Sequence, residues 1–244
     1  MRSADDLTAR ARIRAAAMLR FGRDGLGVGL RQVAADAGVS PALVLHHFGS
    51  KEGLRAACDA YVHDQMRNAK AESLDQPASE LLAQLAGVER YAPLVAYLLR
   101  VVLDGGPGAA AFVDGLVADT VAYLEHGEQV GLVRPTTDPE ARARQVVAAQ
   151  LGLLLLTQLD STAGRAPSPT TDPGAALAHI ALTSTDVSLD IYTHGLFTDA
   201  TYLDTWRAAA ASGPHPPSGT APAVAGTHPD PHPATPAPTD QEQP

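Results

Sequence analysis

Apolar positions along the first fifty residues recur at helical rather than strand spacing. Leu7, Ile13, Ala17 and Phe21 line one stripe, which predicts a first helix over 7–21. It stops at Gly22–Gly29, where four glycines cannot sustain a helix. A second short helix is predicted over Leu30–Ala37, ended by Gly38. A third is predicted over Pro41–His47, with Ser40 as its N-cap and Pro41 in its first position. Ser50 opens a long fourth helix to about Ala71, with Leu54, Cys58, Tyr61 and Gln65 on one side. Further helices are expected at 78–87, 91–103, 109–130, 139–159, 174–192 and 199–211. Asp138-Pro139 marks a start and Gly105-Gly106-Pro107 a break. The stretch Ser161–Thr171 reads as a mobile loop. No alternating strand pattern of useful length and no internal repeat occurs.

The expected fold class is therefore all-α: a three-helix head with a helix-turn-helix over 1–50, and a larger helical domain over 51–211. From Ser212 the chain turns to Pro, Thr, Ala, Gly and His, so 212–244 is expected to be disordered. Composition agrees, since 45% of residues are hydrophobic but only 5% aromatic, with the helix formers alanine and leucine dominant. No segment reaches the ~20 apolar residues that cross a bilayer, and Arg2, Asp5 and Asp6 leave no apolar signal core. The single cysteine, Cys58, cannot form an internal disulfide. A cytoplasmic protein without membrane attachment is expected.

A net charge of −9 argues against nucleic acid until it is divided. Residues 1–55 hold nine basic and five acidic residues, or +4; the rest holds nine and 22, or −13. A basic head on an acidic body suits a protein whose head alone meets phosphate. In the third helix Val44 and Phe48 are four apart and face inward. Rotation of about 100° per residue then puts Ala42, Leu45 and His46 outward. Two turns with a capped tip and a polar outer side suit a major groove.

The run Ile13–Leu54 resembles the N-terminal domain of the tetracycline-repressor (TetR) family. The likeness rests on Arg31-Gln32-Val33-Ala34, Ala37-Gly38-Val39-Ser40, His46-His47-Phe48 and Ser50-Lys51-Glu52. The resemblance implies that Arg31, Ser40, Leu45, His46 and Lys51 reach phosphates while Ala42 and Leu43 lie near base edges. It implies a homodimer on a palindromic double-stranded DNA operator, a repressor released by a small-molecule effector, and an effector pocket in the larger domain. Arg90, Tyr91, Tyr97, Arg100, Tyr123, His126 and Trp206, polar or aromatic residues in otherwise apolar helices, are the candidates for that pocket. Two departures stand out: Leu45 replaces the family's usual Tyr, so that phosphate hydrogen bond is lost and only an apolar contact, as to a thymine methyl, is expected of it, and Gly29 stands where Ser or Thr normally caps the second helix.

Other readings stay open on the residues alone. The helix pair could be a structural hairpin, and the chain a ligand-binding scaffold that does not use its head for DNA. A small helical enzyme finds little support, because there is no nucleophile elbow and no metal-spaced His/Glu set; the glycines of 22–29 follow no strand. His46 and His47 point about 100° apart on a helix, which argues against a shared metal ion. His215, His228 and His232 fall in the tail. No metal and no cofactor are expected, and Cys58, on an inward stripe, reads as a structural thiol.

Overall fold

A computed structural model describes residues 4–80, 83, 85 and 87–211. Described residues up to Asp190 form one compact unit and those from Ile191 a second. Helices are α1 Ala4–Asp24, α2 Leu30–Asp36, α3 Pro41–Phe48, α4 Lys51–Asp75, α5 Ala92–Asp104, α6 Gly106–Gln129, α7 Pro139–Thr162, α8 Pro173–His194 and α9 Thr201–Ala211. Short 3₁₀ turns occur at Ala78–Glu80 and Val88–Tyr91. No strand occurs among the described residues, so the all-α class holds.

The head is built on one small core. Ile13, Ala17 and Phe21 of α1 are buried with Val33 and Ala34 of α2 and Val44 of α3. Its turn follows from backbone chemistry. Gly38 adopts φ +63, which places its N–H on the Ala35 carbonyl at 3.1 Å and the Val39 N–H on the Ala34 carbonyl at 3.0 Å. Two orphan carbonyls of α2 are thereby satisfied, and only glycine enters that conformation without strain. At the next corner, a Cβ on Gly53 would sit 2.0 Å from the Phe48 carbonyl oxygen. The side-chain-free position lets α4 start directly against the end of α3.

Caps read from the sequence are in place. Ser40 Oγ accepts from the Leu43 N–H at 3.2 Å, Ser50 Oγ from the Gly53 N–H at 3.0 Å, and Asp138 Oδ1 from the Ala141 N–H at 3.0 Å. Gly29 offers α2 no side chain, and Gln32 Oε1 instead accepts from the Gly29 N–H at 3.0 Å, which is half of a capping box.

Several boundaries move. α4 continues to Asp75, beyond the expected Ala71, and α8 runs to His194. The break before α6 shrinks to Gly105 (φ +72), with Pro107 inside the first turn, where its missing N–H costs nothing. The helix expected over 78–87 lies partly outside the described residues, and what is described begins as a 3₁₀ turn. The supposedly mobile loop is tied down. Pro169 is fully buried, and the Ser168 and Thr170 hydroxyls lie 3.3 and 3.2 Å from Gln158 Oε1. The tail from 212 lies outside the described residues.

Helix α5 is the axis of the first unit, buried along Leu94–Leu99 and at Val101. Its N-terminal half lies so close to α1 that a Cβ on Gly22 would meet Ala96 Cβ at 3.1 Å. Arg100 donates to the Gly22 and Arg23 carbonyls at 3.4 and 3.3 Å, so a cation of α5 closes the C-terminal end of α1.

Candidate nucleic-acid interface

Of the residues expected on the DNA side, Arg31, Ser40, Ala42 and His46 are exposed, and Leu45 is 46% exposed. Leu43 and Lys51 are half-buried, and Val44 between them is fully buried. The inward side chain holds the helix, and its neighbours face solvent. Ser40 spends its oxygen lone pair on the Leu43 N–H, which leaves its O–H proton to donate outward. Lys51 stands in the first turn of α4, beside the Glu52 carboxylate, which a hydrogen bond from its own backbone N–H and then one from Ser50 hold below its ordinary value.

The basic surplus of the head is divided between two jobs. Arg20 clamps Asp36 through Nε and Nη2, both at 2.5 Å, and reaches Asp24 through Nη1 at 2.8 Å. Arg23 also holds Asp24. Asp24 is kept far below the usual carboxylate range by hydrogen bonds from Arg23 and then Arg20, and Asp36 is lowered by its bond from Arg20. Arg12 Nε donates to the Ala37 carbonyl at 2.9 Å, and Arg14 stacks 3.9 Å over the Tyr61 ring. These arginines assemble the head. Arg31 and Lys51 form no ion pair among the described residues.

The larger domain holds a half-open cavity of about 640 Å³. Aliphatic side chains make most of its wall, among them Val95, Leu98, Leu116, Val147, Leu151 and Leu154. Arg90, Tyr91 and Tyr123 line it, three of the seven residues singled out from the sequence. The other four lie elsewhere. Tyr97 is buried in the core, where its hydroxyl donates to Asp59 Oδ1 at 2.6 Å; burial and that carboxylate push its pKa far up. Arg100 closes α1, His126 sits half-buried near the end of α6, and Trp206 is exposed on α9 in the second unit. Lys70, Asp119 and Thr120 are wall residues that pattern reading passed over. The signal for Thr120 was present: a hydroxyl on the buried stripe of α6, its Oγ1 donating to the Leu116 carbonyl at 2.7 Å.

Comparison with known proteins settles what such a molecule is. A profile described as "Bacterial regulatory proteins, tetR family" matches residues 13–58, and one described as "Tetracyclin repressor-like, C-terminal domain" matches residues 89–198. The HTH-type transcriptional regulatory protein RaaS of Mycobacterium tuberculosis is 45% identical over 215 residues, covering 87% of this chain and 98% of RaaS. The chain belongs to the TetR family. It is a DNA-binding transcriptional regulator, and the family is not one of enzymes.

Solved TetR-like structures share the fold at low identity. A TetR-family regulator from Rhodococcus sp. superposes with TM-score 0.53 at 19% identity, over 73% of this chain and 97% of that one. FadR from Bacillus subtilis, in complex with stearoyl-CoA, gives TM-score 0.52 at 17% identity, over 77% and 99%. No helix among the described residues is long and apolar enough to cross a membrane.

Proposed function

We propose that this TetR-family regulator is a cytoplasmic homodimer that represses transcription by binding a palindromic operator, and that a small molecule entering the cavity releases it. The observation that carries the reading is the outward side of α3: Ala42, Leu45 and His46 face solvent around the buried Val44. Arg31, Ser40, His46 and Lys51 are assigned to phosphates, Ala42 and Leu43 to base edges, and Leu45, which has no donor, to an apolar contact such as a thymine methyl. Arg90, Tyr91 and Tyr123 are assigned to the effector. Within this reading residues 1–50 form the DNA-binding domain, 51–211 the effector and dimerisation domain, and 212–244 the tail.

Dimerisation is supported by apolar side chains without a partner in the single chain. Leu156 and Leu159 of α7 and Leu182, Val187 and Leu189 of α8 are all exposed, Leu182 by 86%. Helix α8 buries only Ala176. A lone soluble chain rarely leaves such a row open, and a second copy would cover it. Two heads so joined would meet half-sites about 34–36 Å apart, one helical turn. An effector that favours another head spacing lowers DNA affinity without touching the reading helix.

A gel-shift assay on the promoter beside the protein's own gene tests this reading. The expected result is a dimer-sized complex on a palindrome, lost in His46→Ala/Lys51→Ala while the dimer persists by sedimentation. Absence of binding there and genome-wide at low salt would overturn it.

A further inference from the structure

The charged groups of the cavity wall are not evenly matched. Asp119 is occupied twice, by His63 Nδ1 at 2.8 Å and by Arg67 Nη1 at 2.9 Å, and Arg67 also holds Asp64. Glu72, the other carboxylate of the wall, is exposed to water. Among the described residues, two cations of the wall have no carboxylate partner: Lys70, which is half-buried, and Arg90, which is exposed. Lys70 Nζ stands 5.6 Å over the Tyr123 ring, and Arg90 lies 4.8 Å over the Tyr91 ring with Nη2 on the Tyr91 hydroxyl at 2.9 Å. Burial lowers the pKa of Lys70, so its charged form is short of solvation and gains from an anion.

The same arrangement disfavours a cationic guest. An aromatic face is the usual receptor for an apolar cation, and Tyr91 and Tyr123 already carry Arg90 and Lys70. The inner carboxylate, Asp119, is already paired. A neutral apolar guest would fill the aliphatic wall but leave the half-buried Lys70 unanswered, with the exposed Arg90 answered only by water. Arg90 and Tyr91, together with the exposed Glu72, also border a second cavity of about 440 Å³, which reaches Ala15, Met18 and Leu19 of α1. Arg90 therefore stands in the wall the two cavities share, between the effector site and the helix that carries the head.

We propose that the effector is an amphipathic organic anion, an apolar chain or ring system bearing a carboxylate, sulfonate or phosphate, with Lys70 and Arg90 as its cationic anchors. The aliphatic wall takes the apolar body. The part of the ligand at Arg90 adjoins the second cavity and so bears on α1. This assignment deepens the effector reading above and rests on it. The site's own selectivity can nevertheless be measured without DNA.

The test is calorimetric titration of the full-length protein with three probes of equal chain length below their micelle concentrations: dodecanoate, dodecanol and dodecyltrimethylammonium. Dodecanoate should bind at least about tenfold more tightly than either other probe, the scale of one charged hydrogen bond. Lys70→Met and Arg90→Met should each weaken dodecanoate about tenfold and leave dodecanol unchanged, while Lys70→Arg restores the carboxylate's advantage. Equal or tighter binding of the ammonium or the alcohol overturns the proposal, as does failure of dodecanoate to bind or its undiminished binding to the double Met variant. If a variant does not fold, the three-probe ranking on the unaltered protein decides alone. Operator binding by the same preparation separates the two readings: lost DNA binding with retained carboxylate selectivity sinks the regulator model only, and the reverse sinks only the anion.

Discussion

In the head, short helices are closed at their ends and the core between them is solid. Ser40, Ser50 and Gly38 finish the termini, Ile13, Phe21, Val33 and Val44 fill the middle, and Arg20 clamps α1 to α2. In the larger domain, α7 buries only Ala143, Val147 and Thr157, and α8 only Ala176. Val146, Leu151 and Leu154 of α7 pack only half-buried against the core, and Leu156, Leu159 and Leu182 are exposed. A reading head has to hold three or four side chains in fixed register, so packing is spent there. An effector domain has to change shape, and a hollow with partly covered helices provides that freedom.

Substitution with a buried charge breaks the comparison most strongly. Val44→Asp puts a carboxylate in a site with no water and no partner, and should cost more than about 4 kcal/mol. Leu154→Asp, on the cavity wall, should cost less than about half as much because solvent reaches it; urea unfolding measures both. Next comes Tyr97→Phe. It removes the hydroxyl that donates to Asp59, and thermal unfolding should show a loss of about 1–3 kcal/mol.

A smaller effect concerns acid. Asp36 is lowered by Arg20 from its ordinary 3.8, so the folded head binds its proton later than the unfolded chain does. That contribution is full above pH 4 and is lost as pH falls through the lower folded value. Arg20→Gln should flatten the acid limb of the stability curve. Last, burial and then the Asp59 charge push the Cys58 thiol up to about 12. A thiol reagent at pH 8 should leave the native protein unmodified and react at once in denaturant.

Local chemistry made the head legible. Gly38 after an apolar run, Ser40 before Pro41, and Ser50 before α4 each act within a few residues, so sequence order alone carries their effect. Charge was less transparent. The +4 of the head gave no hint that Arg12, Arg14 and Arg20 are used internally, because their partners Ala37, Tyr61 and Asp36 lie 16 to 47 residues away by number. The cavity followed the same rule. Arg90, Tyr91 and Tyr123 stood out as polar or aromatic among apolar residues, as did Tyr97 and Arg100. Only the packing of α5 against α1 and α4 shows that the last two serve as struts. Lys70 and Asp119 look like ordinary surface charges until α4 and α6 are brought together.

The salt dependence of operator binding, compared between the unaltered protein and Lys51→Ala, tests the central claim most directly. With about 8–10 phosphate contacts per dimer, log K should fall with log salt at a slope of about −7 to −9. Loss of Lys51 from each of two heads should make that slope shallower by about 2, with base preference kept. A flat salt response, or an identical slope in the variant with affinity unchanged, would contradict the placement of this face on the DNA backbone.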